Sequence, residues 1–135
     1  MNALRIAGYA ALFGVADAGR DTILPGAFRE TLRSRRTPFP LYWQHHPEQR
    51  IGWVETVGED ARGLRVIGRV SRASAAGREA AAAIAQGMVD GLSFGYRVKA
   101  ARGAGPRELL ALELVEVSVV THPMQPMARV VAVEG

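Results

Sequence analysis

The chain has 135 residues, a formal net charge of +4 and no cysteine. That length fits one domain with its own core, and the absence of thiols excludes disulfides, thiol catalysis and thiolate metal sites. Apolar residues make up 48% of the sequence, too many for a disordered chain. A single domain spanning 1–135 is expected. Arginine carries almost all of the positive charge, Lys99 being the only lysine. The plainer reading of that balance is compositional, in a chain rich in Ala and Gly. The functional reading is attraction to an acidic partner. The cluster Arg29, Arg33, Arg35, Arg36 has no interleaved aromatics, which argues against a nucleic-acid site. Met1–Gly8 has no apolar signal core and no run is long enough for a membrane span. The expected place is the cytoplasm, or something assembled there.

Arg5–Phe13 reads as a strand, followed by a polar turn region over Val15–Asp21. Pro25-Gly26 opens a helix over Ala27–Arg35, stopped by Pro38. Leu41–Trp43 is a short strand leading into Gln44-His45-His46-Pro47, where proline is expected to halt the extended run. Ile51–Val57 and Leu64–Val70 form two strand-like runs joined by the turn-rich Glu59–Gly63. Ala75–Gly87 is the clearest helix, with Gly87 where a terminating glycine belongs. Gly91–Lys99 alternates at strand period, with Ser93, Gly95, Arg97 and Lys99 on one face. Ala101–Pro106 is a hairpin loop, Leu109–Thr121 a long strand with room for a bulge, and Val130–Val133 a last short strand. Many antiparallel strands with two or more helices point to an α+β domain built on a barrel-like sheet.

Three residue types could carry chemistry. Of the three histidines, His45 sits at a strand end, where a ring can be held yet remain reachable. The plainer reading is a loop histidine without a role. His46 is adjacent and points elsewhere, and His122 before Pro123 reads as a turn residue. Ser93 lies in Gly91-Leu92-Ser93-Phe94-Gly95-Tyr96. Its flanking glycines leave space for a substrate carbonyl, which a nucleophilic serine needs together with a base. Serine between glycines is also a common strand start, and this is not the Gly-x-Ser-x-Gly elbow. Period two puts Glu116 beside Leu114 and Ser118, and Glu113 on the face of Val115, Val117 and Val119. A carboxylate on an apolar face needs a partner; a histidine or an arginine would serve.

Taken in order, the segments resemble the caudoviral prohead protease family. The motifs are Gly8-Tyr9-Ala10 through Phe13-Gly14, Ile23-Leu24-Pro25-Gly26-Ala27-Phe28, and Leu41-Tyr42-Trp43-Gln44-His45 with Ile51-Gly52. They continue with Gly87, Gly91–Tyr96, Leu114–Thr121 and Pro123. The resemblance implies a herpesvirus-protease-like fold, a β-barrel wrapped by helices. It implies a serine endopeptidase that matures procapsids of tailed phages or of phage-derived gene transfer particles, with Ser93 as nucleophile, His45 as base and Glu116 as third member. It further implies no cofactor or metal, a major capsid protein or its scaffolding segment as partner, and self-association through a face such as Ala75–Gln86. The work would take place inside the assembling procapsid in the bacterial cytoplasm. Two departures stand out: His46 where many relatives have aspartate, and Pro123-Met124-Gln125 where relatives usually read Pro-Ala-Asn. The Thr121–Gln125 turn is a candidate for the substrate channel or the oxyanion site. A catalytically silent virion or scaffold-type protein that keeps the barrel is the alternative.

Overall fold

The computed structural model describes residues 3–135; Met1 and Asn2 lie outside the described residues. The elements are β1 (Ala3–Leu12), β2 (Asp21–Ile23), α1 (Arg29–Ser34), β3 (Pro40–Trp43), β4 (His46–Glu59), β5 (Gly63–Ser71), α2 (Ala75–Ala85), β6 (Gly91–Arg102), β7 (Arg107–Val120) and β8 (Val130–Glu134). The strands form one sheet in the order β2-β7-β3-β4-β5-β1-β8, with β6 also on β7. Most pairs are antiparallel, as expected. β3 and β2, however, run parallel to β7 along its other edge. The three-residue β2 falls at the end of the stretch read as a polar turn, because Asp21-Thr22-Ile23 is too short to show alternation.

The expected barrel is not closed by strand pairing. β6, which lies off that path, approaches the segment leading into β8 through an isolated bridge, Gly91 with Arg129, and through Leu92 N–H donating to the Ala128 carbonyl at 2.8 Å.

β1 and β5 alternate buried residues with half-buried or exposed ones, so period two fixes their inner face. β7 is buried on both faces from Glu116 to Val120, which places it at the centre of the molecule. Phe28 is fully buried and meets Phe94 edge to face at 5.4 Å. Burying one such ring contributes about 1.5–3 kcal/mol. The segment around α1 also holds β7 by its backbone: Leu112 N–H donates to the Ala27 carbonyl and Leu114 N–H to Thr31 Oγ1, at 2.9 and 3.1 Å.

α1 is shorter than the expected Ala27–Arg35, and Ala27 and Phe28 lie in the turn that precedes it. α2 matches its expectation closely. Ser74 caps it by accepting from Gly77 N–H at 3.0 Å, and Gly87 takes a φ of 74° just past its end. The larger correction concerns Pro47. It does not halt the strand but lies inside β4, which reaches back to His46. The β3–β4 register jumps from Trp43–His46 to Tyr42–Arg50, so residues 47–49 form an irregularity where a missing N–H breaks no ladder bond.

Candidate active site

Three strands and one turn build the site. On β6 and β7, Ser93 pairs with Ser118 and Gly95 with Glu116, so cross-strand register puts all four on one face. Ser93, Glu116 and Ser118 are buried. A register shift between Gly95 and Tyr96 follows, the bulge for which the long strand had room. Gly95 is required by space. A Cβ there would lie 2.5 Å from Glu116 Oε1, so any side chain would push the carboxylate aside.

His45 arrives from a different kind of structure. The sequence suggested a strand end; the structure makes Gln44 and His45 the two-residue turn between β3 and β4, with φ of 54° and 62°. Both central residues of such a hairpin turn need positive φ, a conformation that costs a non-glycine residue about 1–2 kcal/mol. Side-chain and backbone bonds to the end of β7 hold it. Gln44 N–H donates to the Val119 carbonyl at 2.9 Å, and Gln44 Nε2 donates to Thr121 Oγ1 at 2.7 Å. Gln44 Oε1 accepts from Thr121 N–H at 3.0 Å. Backbone strain held in place at one residue is a common companion of a functional position.

The turn brings His45 Nδ1 within 2.7 Å of Glu116 Oε1. A carboxylate only accepts, so Nδ1 carries the proton and Nε2 is left as the basic nitrogen. Glu116 Oε2 accepts from the buried Ser118 hydroxyl at 2.6 Å, so both carboxylate oxygens are engaged. The hydrogen bond to Glu116 is the main reason that the imidazole holds its proton above its ordinary value near 6.5. The glutamate's charge adds to it, and partial burial opposes it.

His45 and Ser93 line one cavity of about 60 Å³, together with Ala10, Asp17, Phe94 and Tyr96 and the Met124-Gln125 pair. Burial, with Asp17 and Asp21 adding, raises the Tyr96 phenol above its ordinary value. Glu113 stands apart: it is solvent-accessible and faces Arg97 at 3.4 Å. His46 is exposed with Gln49 Oε1 at 3.4 Å from its Nδ1, and His122 is exposed. The structure therefore brings His45, Ser93 and Glu116 together and leaves the other candidates aside.

The Thr121–Gln125 turn is more structural than expected. Thr121 N–H is already committed to Gln44. Gln125 is buried, and its amide accepts from Leu12 N–H at 2.7 Å and donates to the Leu12 carbonyl at 3.0 Å. The departure at this position thus ties β1 to the turn after β7. Three features escaped the sequence reading. Ser118 had a signal, since period two set it beside Glu116. The Gln44 clamp and the approach of Asp17 depend on contacts distant in sequence and had none. Among the described residues no group of His, Asp and Glu is arranged to hold a metal ion, and no helix is long and apolar enough to cross a membrane.

The fold matches solved viral proteases. A herpesvirus protease, that of KSHV in complex with a hexapeptide phosphonate inhibitor, superposes with a TM-score of 0.70 at 17% identity, over 98% of this chain and 65% of that one. The capsid assembly protease of bacteriophage T4 gives 0.67 at 15% identity, over 86% and 80%. The fold class is thus the herpesvirus-protease-like one, and the relatives are peptidases. The sequence profile of the caudovirus prohead serine proteases matches residues 1–134, and the chain belongs to that family. It is 30% identical to the prohead protease of Enterobacteria phage HK97 over 95% of its length, and spans 59% of that relative. It is also 29% identical to a capsid polyprotein of Pseudomonas phage PAJU2, covering 74% of this chain and 16% of that one.

Proposed function

We propose that this chain is a serine endopeptidase that cleaves scaffold or capsid-protein N-terminal segments during procapsid maturation, with Ser93 as nucleophile, His45 as general base and Glu116 as its orienting carboxylate. The observation that carries the reading is the His45–Glu116 contact at 2.7 Å, with His45 lining one cavity together with the buried Ser93, which sits on the strand paired with that of Glu116. His45 Nε2 takes the Ser93 proton as Oγ attacks the peptide carbonyl, then returns it to the leaving amine. Water repeats the cycle on the acyl-enzyme. Glu116 holds the Nδ1–H tautomer and stabilises the imidazolium. Ser118 holds Glu116. No step calls for a metal or an organic cofactor.

The alternative, a silent structural protein, rested on His46 and on Met124-Gln125. His46 is solvent-exposed and Gln125 has a clamping role, which weakens both grounds for that alternative. The prohead and capsid proteases among the relatives support a capsid protein as substrate and the assembling procapsid in the bacterial cytoplasm as the setting. Self-association would use the outer face of α2, where Arg78, Glu79, Ala82 and Gln86 are exposed. A related herpesvirus protease has been solved with a dimer disruptor. Specific activity that stays flat on dilution would count against self-association. The function is tested by incubating the protein with its cognate capsid precursor and mapping new termini by mass spectrometry. New termini with the wild type and none with Ser93→Ala are expected; identical termini with both would refute the assignment.

A further inference from the structure

A second concavity, of about 1160 Å³, lies on the outer surface of β3, β4 and β5. Register explains its floor: Pro40 pairs with Trp53, and Trp53 with Arg69, in one row across the three strands. Tyr42 and Arg50 form the next row. Pro38, following α1, lines it as well. Trp53 is 44% exposed, an unusual state for a large indole in the middle of a sheet. This groove adjoins the hairpin that carries His45, since Tyr42 and Pro47 both line it and flank the turn on either side.

Its charges are uneven. Arg50 stacks on Trp53 at 4.2 Å, and Arg35 on Phe39 at 4.3 Å. Neither guanidinium has a carboxylate partner among the described residues, and the neighbouring Arg36 has none either. Glu55 in the groove is already neutralised by Arg5 at 2.8 Å and Arg69 at 3.3 Å. Glu48 is the one lining carboxylate without a cation partner. Stacking fixes each guanidinium plane. Arg35 donates Nε to the Thr37 carbonyl at 3.0 Å and Nη2 to the Pro38 carbonyl at 3.3 Å, which leaves its Nη1 and the N–H edge of Arg50 for a carboxylate. An aromatic and proline floor beneath oriented cations fits a segment with apolar side chains on one face and acidic ones at its rim. The unpaired Glu48 and the proline-rich lining (Pro38, Pro40, Pro47) fit a protein segment better than a run of phosphates.

We propose that this groove is a docking site for an acidic, amphipathic segment of the protein substrate, which anchors the substrate beside the His45 turn while a separate stretch enters the cavity at Ser93. That the segment belongs to the substrate rests on the peptidase reading; the binding chemistry does not. Docking outside a small cleft would raise the local concentration of the scissile stretch without new contacts at the reacting bond.

The test uses the Ser93→Ala protein, so that turnover plays no part. Fluorescein-labelled peptides of about 15 residues, roughly four helical turns, are built from Glu, Leu and Ala or from Lys, Leu and Ala. They are compared by anisotropy with a labelled single-stranded oligonucleotide. The acidic peptide should bind in preference to both. Arg35→Glu with Arg50→Glu should weaken it about tenfold or more, Arg35→Gln with Arg50→Gln less, and salt raised to about 0.5 M should weaken it as well. No binding of the acidic peptide, equal binding of the basic one, tighter binding of the oligonucleotide, or an unchanged affinity in both double variants would overturn the proposal. In the wild-type background, the arginine variants should keep their reactivity toward a small fluorophosphonate. Loss of that reactivity in the unsubstituted protein would instead strike the peptidase reading.

Discussion

The two halves of the candidate site are held in different ways. Ser93 and Glu116 sit on β6 and β7, where continuous antiparallel pairing and burial leave their side chains one place to go. His45 sits on an exposed two-residue turn, and its ring is 42% accessible. Its position depends on the Gln44 clamp to Thr121 and on Glu116 itself. A sheet positions side chains by register, whereas a turn needs dedicated partners. Damage to the sheet half should therefore remove chemistry outright, and damage to the turn half should misplace the base by degrees.

The largest effects are expected at the proposed nucleophile and base. Ser93→Ala and His45→Ala should each lower turnover of a capsid precursor by at least about a thousandfold, with circular dichroism unchanged. His46→Ala should keep substantial activity. Equal loss at both histidines would leave the base unassigned.

Glu116→Gln comes next, with a rate loss on the order of a hundredfold or more. It also carries a pH signature. Glu116 raises the pKa of His45, and a general base must be neutral, so the wild-type rate should rise with pH to a midpoint above the ordinary histidine value. Removing the charge should move that midpoint down. Stability runs the other way. A raised pKa means that the pairing contributes fully below the ordinary value of about 6.5 and is lost as pH rises through the raised one. Glu113→Gln, at the exposed pair with Arg97, should shift neither profile. A silent Glu116→Gln would contradict the geometry.

Gln44→Ala tests the turn directly. Loss of two side-chain bonds to Thr121 should cost about ten- to a hundredfold in kcat, since an ångström of misplacement is that expensive. The midpoint of the pH profile should move down, as the His45–Glu116 bond loosens. An unchanged midpoint with lower protein stability would reduce Gln44 to a structural role. The smallest effect is expected at Ser118→Ala, which removes one hydrogen bond to Glu116. It should cost about 1 kcal/mol, roughly fivefold in rate, with Ser118→Thr recovering part of it.

The same contrast explains how far the sequence could be read. Strand alternation in Gly91–Lys99 and apolar runs in Leu109–Thr121 put Ser93 and Glu116 on strands, as the structure has them, and period two separated Glu116 from Glu113. The helix at Ala75 was legible through its alanines and Gly87. The turn at Gln44-His45 was not, because two-residue hairpins with positive φ are usually signalled by Asn-Gly or Asp-Gly. Here Thr121, far along the chain, supplies what glycine would. Pro47 misled for a related reason: an irregularity in the β3–β4 register removed the need for its N–H. β2 and the parallel pairs on β7 depend on tertiary partners that no local pattern announces. The closed barrel was an expectation of the family resemblance as much as of the pattern, and the pairing leaves it open.

The central claim is that Ser93 is a nucleophile activated by His45 and Glu116. It is tested most directly by treating the protein with a fluorophosphonate and locating the adduct by peptide mass spectrometry across a pH series. A single adduct on Ser93 is expected, absent in Ser93→Ala. It should form more slowly in His45→Ala, with a rate that rises through a pKa lowered by Glu116→Gln. No adduct at any pH, or labelling that is indifferent to His45, would contradict the account.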